Sequence, residues 1–270
     1  ARVLEDLARD HEVVRLILEW REKTKIKSTY LDTLGPLAGQ YGDGRVHTTY
    51  NQTITATGRL SSSNPNLQNI PTRSELGHTV KTAFSAGPGK VFLAVDYSQI
   101  ELRLLAHLSG DEHLIRAFNE GEDFHAETAA RVFIVYGQQA YGLPQSLDIP
   151  MAEARQMIDR YFEAYPGVRA YLDRTVADAK RLGYAETMFG RRRPIPELKM
   201  RVPAQRAFGE RTAMNHPMQG SAADIIKIAM ARVARRLREE GFAARMVLQV
   251  HDELDFECPE GEVERLTEMV

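Results

Sequence analysis

Apolar residues recur along this chain in three rhythms, and each rhythm predicts a different kind of element. Near the start, Val3, Leu4, Leu7, Val13, Val14, Ile17 and Leu18 repeat close to helical spacing and predict a helix over residues 3–27. Val91-Phe92-Leu93-Ala94-Val95 is an unbroken apolar run behind Gly87-Pro88-Gly89, which predicts a buried strand. Met246, Leu248 and Val250 alternate with Arg245, Val247 and Gln249, and Leu254, Phe256 and Cys258 alternate with Asp255 and Glu257. These two runs flank a short polar stretch and predict a β-hairpin with Asp252 near its tip.

The intervening sequence completes an α+β plan. Gly, Pro and Asp residues from Asp32 to Gly44 predict a loop, the Thr-rich and β-branched stretch Val46 to Thr57 a strand, and residues 58–75 irregular structure. Behind Asp96, Ile100, Leu104 and Leu108 share one side of a helix that should stop at Gly110. Mostly helical sequence follows to Leu182, punctuated by Gly137, Gly142, Pro144, Pro166 and Gly183. Pro203 to Met214 predicts a helix broken near Pro217, and Gln219 to Glu240 a long one ended by Gly241. Strands near both ends with helices between them indicate an α+β core interrupted by a helical subdomain.

The candidate chemistry is acidic. Asp96 closes the apolar strand, where a carboxylate is costly to bury without a counterion, and a divalent cation would supply one. An Asp in an ordinary strand-to-helix turn, or in a hairpin turn for Asp252, is the bland alternative for each alone. Together, two strand-end carboxylates can chelate a pair of cations about 3.5–4 Å apart, the arrangement for in-line phosphoryl transfer. Ser98-Gln99-Ile100-Glu101 also reads as a capping box, which would make Glu101 a helix cap.

Bulk properties leave such a site room. A chain of 270 residues, 43% hydrophobic and 27% charged, can bury a substantial core in one large domain or two to three subdomains. The single cysteine, Cys258, excludes an intramolecular disulfide and suits a reducing cytosol. No run approaches a membrane span, and the N-terminus lacks a signal-peptide pattern, so a cytoplasmic protein is expected. The net charge of −2 hides segregation: residues 181–211 carry eight Lys/Arg against three acids, and residues 96–127 eight acids against two Arg. A basic face beside an acidic pocket fits a ligand with a phosphate backbone.

Five ordered motifs give the chain a family resemblance. Lys25 to Tyr30 (KIKSTY), Thr55 to Pro71 (TATGRLSSSNPNLQNIP), Asp96 to Arg103 (DYSQIELR), Asn215 to Asp224 (NHPMQGSAAD) and Gln249 to Glu253 (QVHDE), with GRRR at 190–193, resemble the polymerase domain of family A DNA polymerases. The resemblance covers nearly the whole chain. It implies a right-hand architecture: residues 1–45 a partial thumb, 46–105 the first part of an antiparallel palm, 106–214 inserted helical fingers, and 215–270 the rest of the palm. It implies template-directed addition of deoxynucleotides to a primer 3′ end with release of pyrophosphate. The partners implied are primer–template DNA and dNTPs, taken by a monomer associated with the nucleoid.

The same resemblance assigns residues. Asp96, the Tyr97 carbonyl and Asp252 would hold two Mg²⁺ ions, for which Mn²⁺ could substitute, with Glu253 adjoining as a third catalytic carboxylate. Gln99, Glu101, His125 and Tyr136 would meet the incoming nucleotide, Glu101 and Tyr136 as a gate that excludes a ribose 2′-hydroxyl. Lys27, Arg59, Asn66, Gln68, Arg193, Arg211, Asn215, Gln219 and His251 would bind primer and template, with Arg191 and Arg192 in the same basic run. Of these, Arg59, Gln68, Gln219 and His251 would read minor-groove acceptors common to all four base pairs. Read as residues alone, Asn66 and Gln68 fit loop chemistry, Tyr136 a core aromatic, His125 a surface histidine and the arginine run a solvated turn.

One departure stands out. The family's fingers carry an Arg and a Lys that hold the triphosphate, followed by an Asn-Phe-Gly and then a Tyr-Gly. Here Arg131-Val132-Phe133 runs directly into Ile134-Val135-Tyr136-Gly137. Omission of a segment between Phe133 and Ile134 is expected rather than a true deletion, which would leave a primer–template binding module without catalysis. A metal-dependent nuclease would use clustered carboxylates but has no need of the TGRLSS stretch.

Overall fold

In the computed structural model, residues 2–71, 74–121 and 150–270 are described. The first part holds α1 (Arg2–Leu7), α2 (Glu12–Ile26), a π turn (Lys27–Leu31), α3 (Asp32–Gly39), β1 (Thr49–Asn51), β2 (Ser61–Ser63), α4 (Glu75–Thr82), β3 (Lys90–Asp96), α5 (Ile100–Ser109) and α6 (Glu112–Glu120). From residue 150 onward come α7 (Met151–Ala164), α8 (Pro166–Leu182), β4 (Tyr184–Glu186), β5 (Arg192–Pro194), α9 (Pro203–Glu239), β6 (Arg245–Val250), β7 (Glu253–Pro259) and α10 (Val263–Met269). The expected mixture of helix and sheet is present. Residues 1–54, 60–94 and 241–270 cluster into one unit and residues 55–59 with 95–240 into a second.

In the first unit the sheet runs in the order β3-β7-β6, with β6 and β7 antiparallel and paired from Arg245↔Glu257 to Val250↔Glu253. This is the expected hairpin. Glu257 is only 2% exposed and accepts from Arg45 Nη2 at 2.7 Å, Lys90 Nζ at 3.1 Å and the Gly87 amide at 2.8 Å. The Arg45 hydrogen bond leads in holding its carboxyl down at about 2, so the group stays ionised and ties β7 to the start of β3. A separate cluster of Ile26, Tyr30 and Val80, with Leu34, Ile70 and Phe84, packs α2, α3 and α4 together.

Three expectations for this unit are corrected. The helix over 3–27 is two helices, because Leu7 O takes the Asp10 and His11 amides at 3.2 and 2.9 Å and the chain re-starts from an extended His11. The loop expected from Asp32 to Gly44 begins as α3, helical in spite of Pro36, because Leu34 joins the Ile26–Tyr30 cluster and burial outweighs propensity. The strand expected from Val46 to Thr57 shrinks to β1, whose partner β2 lies in sequence expected to be irregular. Small hydroxyls make that pairing: Thr48 Oγ1 meets Ser62 Oγ at 2.6 Å, and Ser62 Oγ accepts the Leu67 amide at 2.9 Å.

The second unit is mainly helical. Leu102, Leu105, Ala106, Leu114, Tyr161, Val168, Tyr171, Leu172 and Met218 form its principal core. Asp111, 4% exposed, caps α6 by accepting the His113 and Leu114 amides at 3.1 and 3.0 Å, and also takes the Gly167 amide of α8 at 2.7 Å. Helix α5 stops at a left-handed Gly110 as expected, and α8 at a left-handed Gly183. The break expected near Pro217 does not occur: α9 runs unbroken for 37 residues. An interior proline costs about 3 kcal/mol, but Thr212, Ala213, His216, Pro217 and Met218 are all buried there, and packing holds the helix together.

Candidate functional site

The hairpin tip is held by one glutamine. His251 occupies a left-handed conformation at φ +52° and Asp252 follows it, half-buried, in the turn between β6 and β7. Left-handed backbone costs a non-glycine residue about 1–2 kcal/mol, so the turn needs local support. The Gln249 side-chain amide supplies it, with Nε2 donating to the His251 carbonyl at 2.5 Å. Gln249 is 4% exposed. Its Oε1 and backbone carbonyl both accept from Gln68 Nε2 at 3.1 Å. Its backbone amide donates to the Tyr50 hydroxyl at 2.8 Å, and its carbonyl lies 3.0 Å from the same hydroxyl. Burial raises the Tyr50 phenol above its usual range, so it stays a hydroxyl at neutral pH.

Beside this turn, β7 carries an acidic pair. Burial, then a hydrogen bond with Glu253 and its charge, push the Asp255 carboxyl up from 3.8 to about 7, with Lys81 opposing. An unfolded Asp ionises near 3.8, so between about 4 and 7 the folded chain keeps a proton that the unfolded chain has released. Stability from this group is therefore full below pH 4, falls as pH rises to 7, and stays lost above. Asp255→Asn is expected to remove that part of the pH slope and to raise the unfolding midpoint at pH 8 more than at pH 5. Thermal melts at the two pH values measure this, and equal shifts would contradict the shared proton.

In the second unit, Asp96 ends β3 and is exposed, as is Tyr97 at 43%. The capping-box expectation is corrected here. Gln99, left-handed at φ 56°, is the residue before α5, in place of Ser98, and its side chain makes no cap hydrogen bond. Glu101 Oε1 accepts from Arg59 Nη2; the carboxylate is 12% exposed and the guanidinium 32%. Two residues proposed for different tasks are thus in direct contact.

Three of the sequence motifs converge in this unit. Asp224 Oδ1 accepts from Arg191 Nε at 2.9 Å and Nη2 at 2.6 Å, and its Oδ2 from Thr187 Oγ1 at 2.8 Å. Thr187 Oγ1 also takes the Phe189 and Arg191 amides at 3.3 and 3.2 Å, and Ser221 Oγ the Met188 amide at 3.0 Å. The loop between β4 and β5 is therefore pinned to α9 at two points. Both approaches depend on missing side chains. A Cβ on Gly220 would lie 2.5 Å from Thr187 Cγ2, and one on Gly58, whose φ is +84°, only 2.6 Å from Arg191 Nε. Arg191 is committed to Asp224, and Arg192 to Glu186 at 2.5 Å and the Tyr184 ring.

The remaining expected residues are dispersed. Lys27 pairs with Asp32 at 2.7 Å, both exposed. Asn66 Oδ1 accepts the Gln68 amide at 2.9 Å, the turn chemistry anticipated for it. Arg193 is half-buried opposite Ala185 on the β4–β5 pair. Arg211, Asn215 and Gln219 recur at four-residue steps on α9, all half-buried, and so form one stripe of donors along it, with Arg211 over the Phe208 ring at 5.9 Å. His125, Tyr136 and the Phe133–Ile134 junction lie outside the described residues. Sequence reasoning missed Tyr50, Thr187 and Ser221, whose hydroxyls carry no motif signal. It also missed Gln249 and Asp224, which lay inside the quoted motifs but whose partners Gln68, Tyr50, Thr187 and Arg191 are distant in sequence.

Asp96, the Tyr97 carbonyl and Asp252 each offer oxygen, the chemistry that Mg²⁺ takes. The donor set fits a hard divalent cation in kind. Among the described residues no group of three or more His, Cys, Asp or Glu side chains is assembled as a metal cage, and none of their helices is long and apolar enough to cross a membrane.

Comparison with known proteins extends over the whole chain. A family profile, DNA polymerase family A, matches residues 1–270. The thermostable DNA polymerase I of Thermus aquaticus is 49% identical over 290 residues, taking in all of this chain and 34% of the relative. DNA polymerase I of Geobacillus stearothermophilus is 48% identical over 292 residues, all of this chain and 33% of that protein. A solved structure of the POL domain of Pol1 from M. smegmatis, in complex with DNA primer-template and dNTP, superposes with a TM-score of 0.87 at 43% identity over 98% of this chain and 51% of that one. The chain spans about a third of the length of these curated relatives. The matched stretches are longer than its own 270 residues, so the relatives carry residues that have no counterpart here.

Proposed function

The chain belongs to DNA polymerase family A, and from that premise we propose that it adds deoxynucleotides to a primer 3′ end as a template directs, by phosphoryl transfer that releases pyrophosphate. The observation that carries this reading is the convergence of Thr57-Gly58-Arg59, the 187–191 loop and the Gln219–Asp224 segment of α9. A nuclease or a bare metal site has no need of that construction. A surface that grips a duplex without reading its sequence does, because its donors must stand at fixed separations.

In this reading Asp96, the Tyr97 carbonyl and Asp252 hold the divalent cations, Mg²⁺ in the first instance, with Glu253 adjoining. Bound there, the cations would lower the pKa of the primer 3′-hydroxyl and offset charge on the triphosphate. The chain's own residues bind and orient. Arg59, Gln68, Gln219 and His251 offer donors to the minor-groove acceptors that every correct base pair presents. Lys27, Asn66, Arg193, Arg211 and Asn215 contact the primer–template, where phosphate contacts fix register. Gln99, Glu101, His125 and Tyr136 face the incoming nucleotide. Counterparts of the family's two triphosphate-holding cations would lie in the segment expected to be omitted between Phe133 and Ile134, and a true deletion would remove them. That makes an inactive primer–template binding module the second reading.

Extension of a labelled primer with Mg²⁺ and four dNTPs separates the two, since the binding module would retain the duplex and extend nothing. Within the active reading, Glu101→Ala is expected to raise ribonucleotide relative to deoxynucleotide incorporation by about 10–100-fold, the removal of a clash of about 1–3 kcal/mol. Competing incorporation of the two sugars measures it. Unchanged discrimination would contradict the gate.

A further inference from the structure

The hydroxyl of Tyr50 does two things that a merely packed aromatic would not. Among the described residues β6 is an edge strand in the order β3-β7-β6, so the outward backbone groups of Gln249 meet no neighbouring strand there. The Tyr50 hydroxyl meets both of them, at 2.8 Å from the amide and 3.0 Å from the carbonyl. Tyr50 itself sits in β1, paired to Ser62 of β2, so its position is set by another sheet. With its backbone pinned in this way, Gln249 turns its side chain between two residues of the proposed site. Its Oε1 receives Gln68 Nε2 at 3.1 Å and its Nε2 reaches the carbonyl of left-handed His251, immediately before Asp252.

We propose that Tyr50 is a positioning residue for nucleotide addition, acting through Gln249 to fix the His251–Asp252 turn and the amide of Gln68. The inference rests on the polymerase reading of the same site. Tyr50 touches no reacting atom, so its effect falls on the orientation of the turn. The Gln249 side-chain amide links β6 to the His251 carbonyl, and Gln249 is too buried for water to replace it. A displaced Asp252 slows the chemical step while leaving encounter with duplex and nucleotide unchanged, because a misplacement of about 1 Å at a reacting centre can cost about 100-fold.

The test uses Tyr50→Phe, which keeps the ring and loses only the hydroxyl, with Gln249→Leu and the double variant, in the full-length protein. Tyr50→Phe is expected to lower kcat about 5–20-fold, with KM for dNTP and Kd for primer–template within twofold of the wild type. The double variant should be no slower than Gln249→Leu alone, since both changes cut one path. A hydroxyl that only closes the strand edge would lower the melting temperature and leave kcat per folded molecule unchanged, which would overturn the proposal. Multiplicative losses in the double variant, or a loss confined to KM, would overturn it too. Wild-type extension in the same assay keeps the two ideas apart: no extension by the wild type refutes the polymerase reading, and extension without a Tyr50 effect refutes this one.

Discussion

Asp96→Ala and Asp252→Ala are each expected to slow nucleotide addition by about 10³-fold or more while primer–template affinity stays within a few-fold of the wild type. Each change removes an oxygen donor from the proposed site, whose cations would contribute several kcal/mol to the transition state, and about 1.4 kcal/mol corresponds to tenfold in rate. Duplex affinity is proposed to depend instead on basic and amide donors elsewhere, such as the Arg211–Asn215–Gln219 stripe on α9. Asp96 is exposed at its strand end, so its loss should cost the fold less than about 0.5 kcal/mol. Single-turnover rates and filter-binding on the same preparations give both quantities. A variant that adds nucleotides at near wild-type rate would remove that aspartate from the catalytic account.

Asp224→Ala is expected to have the largest effect on stability, a loss of about 3 kcal/mol in denaturant unfolding. Asp224 is 7% exposed in its side chain and accepts two bonds from Arg191 and one from Thr187. Charged hydrogen bonds contribute about 1.5–3 kcal/mol each when isolated, but the 40% exposure of Arg191 returns part of that to water. Function should fail with the loop. Thr187 also holds the Phe189 and Arg191 amides, so its release frees the turn leading to Arg193, and KM for primer–template should rise several-fold at temperatures where the variant is still folded. Asp224→Asn keeps the shape and should lose about half as much stability. If Asp224→Ala unfolds at the wild-type denaturant concentration, the pin between loop and helix is not what holds these motifs together.

The elements legible in the sequence are those whose pattern is local. The β6–β7 hairpin shows in period-2 alternation on both sides of a polar turn, and α5 in its apolar spacing and the stop at Gly110. The misreadings come from places where distant packing decides. Pro217 should interrupt a helix, yet α9 continues because Pro217 and its neighbours His216 and Met218 are buried. Asp32 to Gly39 has loop composition and forms α3 because Leu34 has a core to join. For the site the motif residues were legible, and their supports were not. Nothing around Tyr50 predicts that its hydroxyl would meet Gln249, which lies 199 positions away. Ser98 to Glu101 matches a capping box residue for residue, yet left-handed Gln99 starts the helix and Glu101 is given to Arg59.

The central claim is that the template chooses the nucleotide. Its direct test is single-nucleotide addition with Mg²⁺ on four primer–templates that differ only in the first unpaired template base, each offered one dNTP at a time. Each primer is expected to grow by one residue with its complementary dNTP, mismatched additions to be slower by orders of magnitude, and nothing to be added without Mg²⁺. Addition indifferent to the template base, a primer that shortens, or a duplex that is bound tightly and never extended would contradict it.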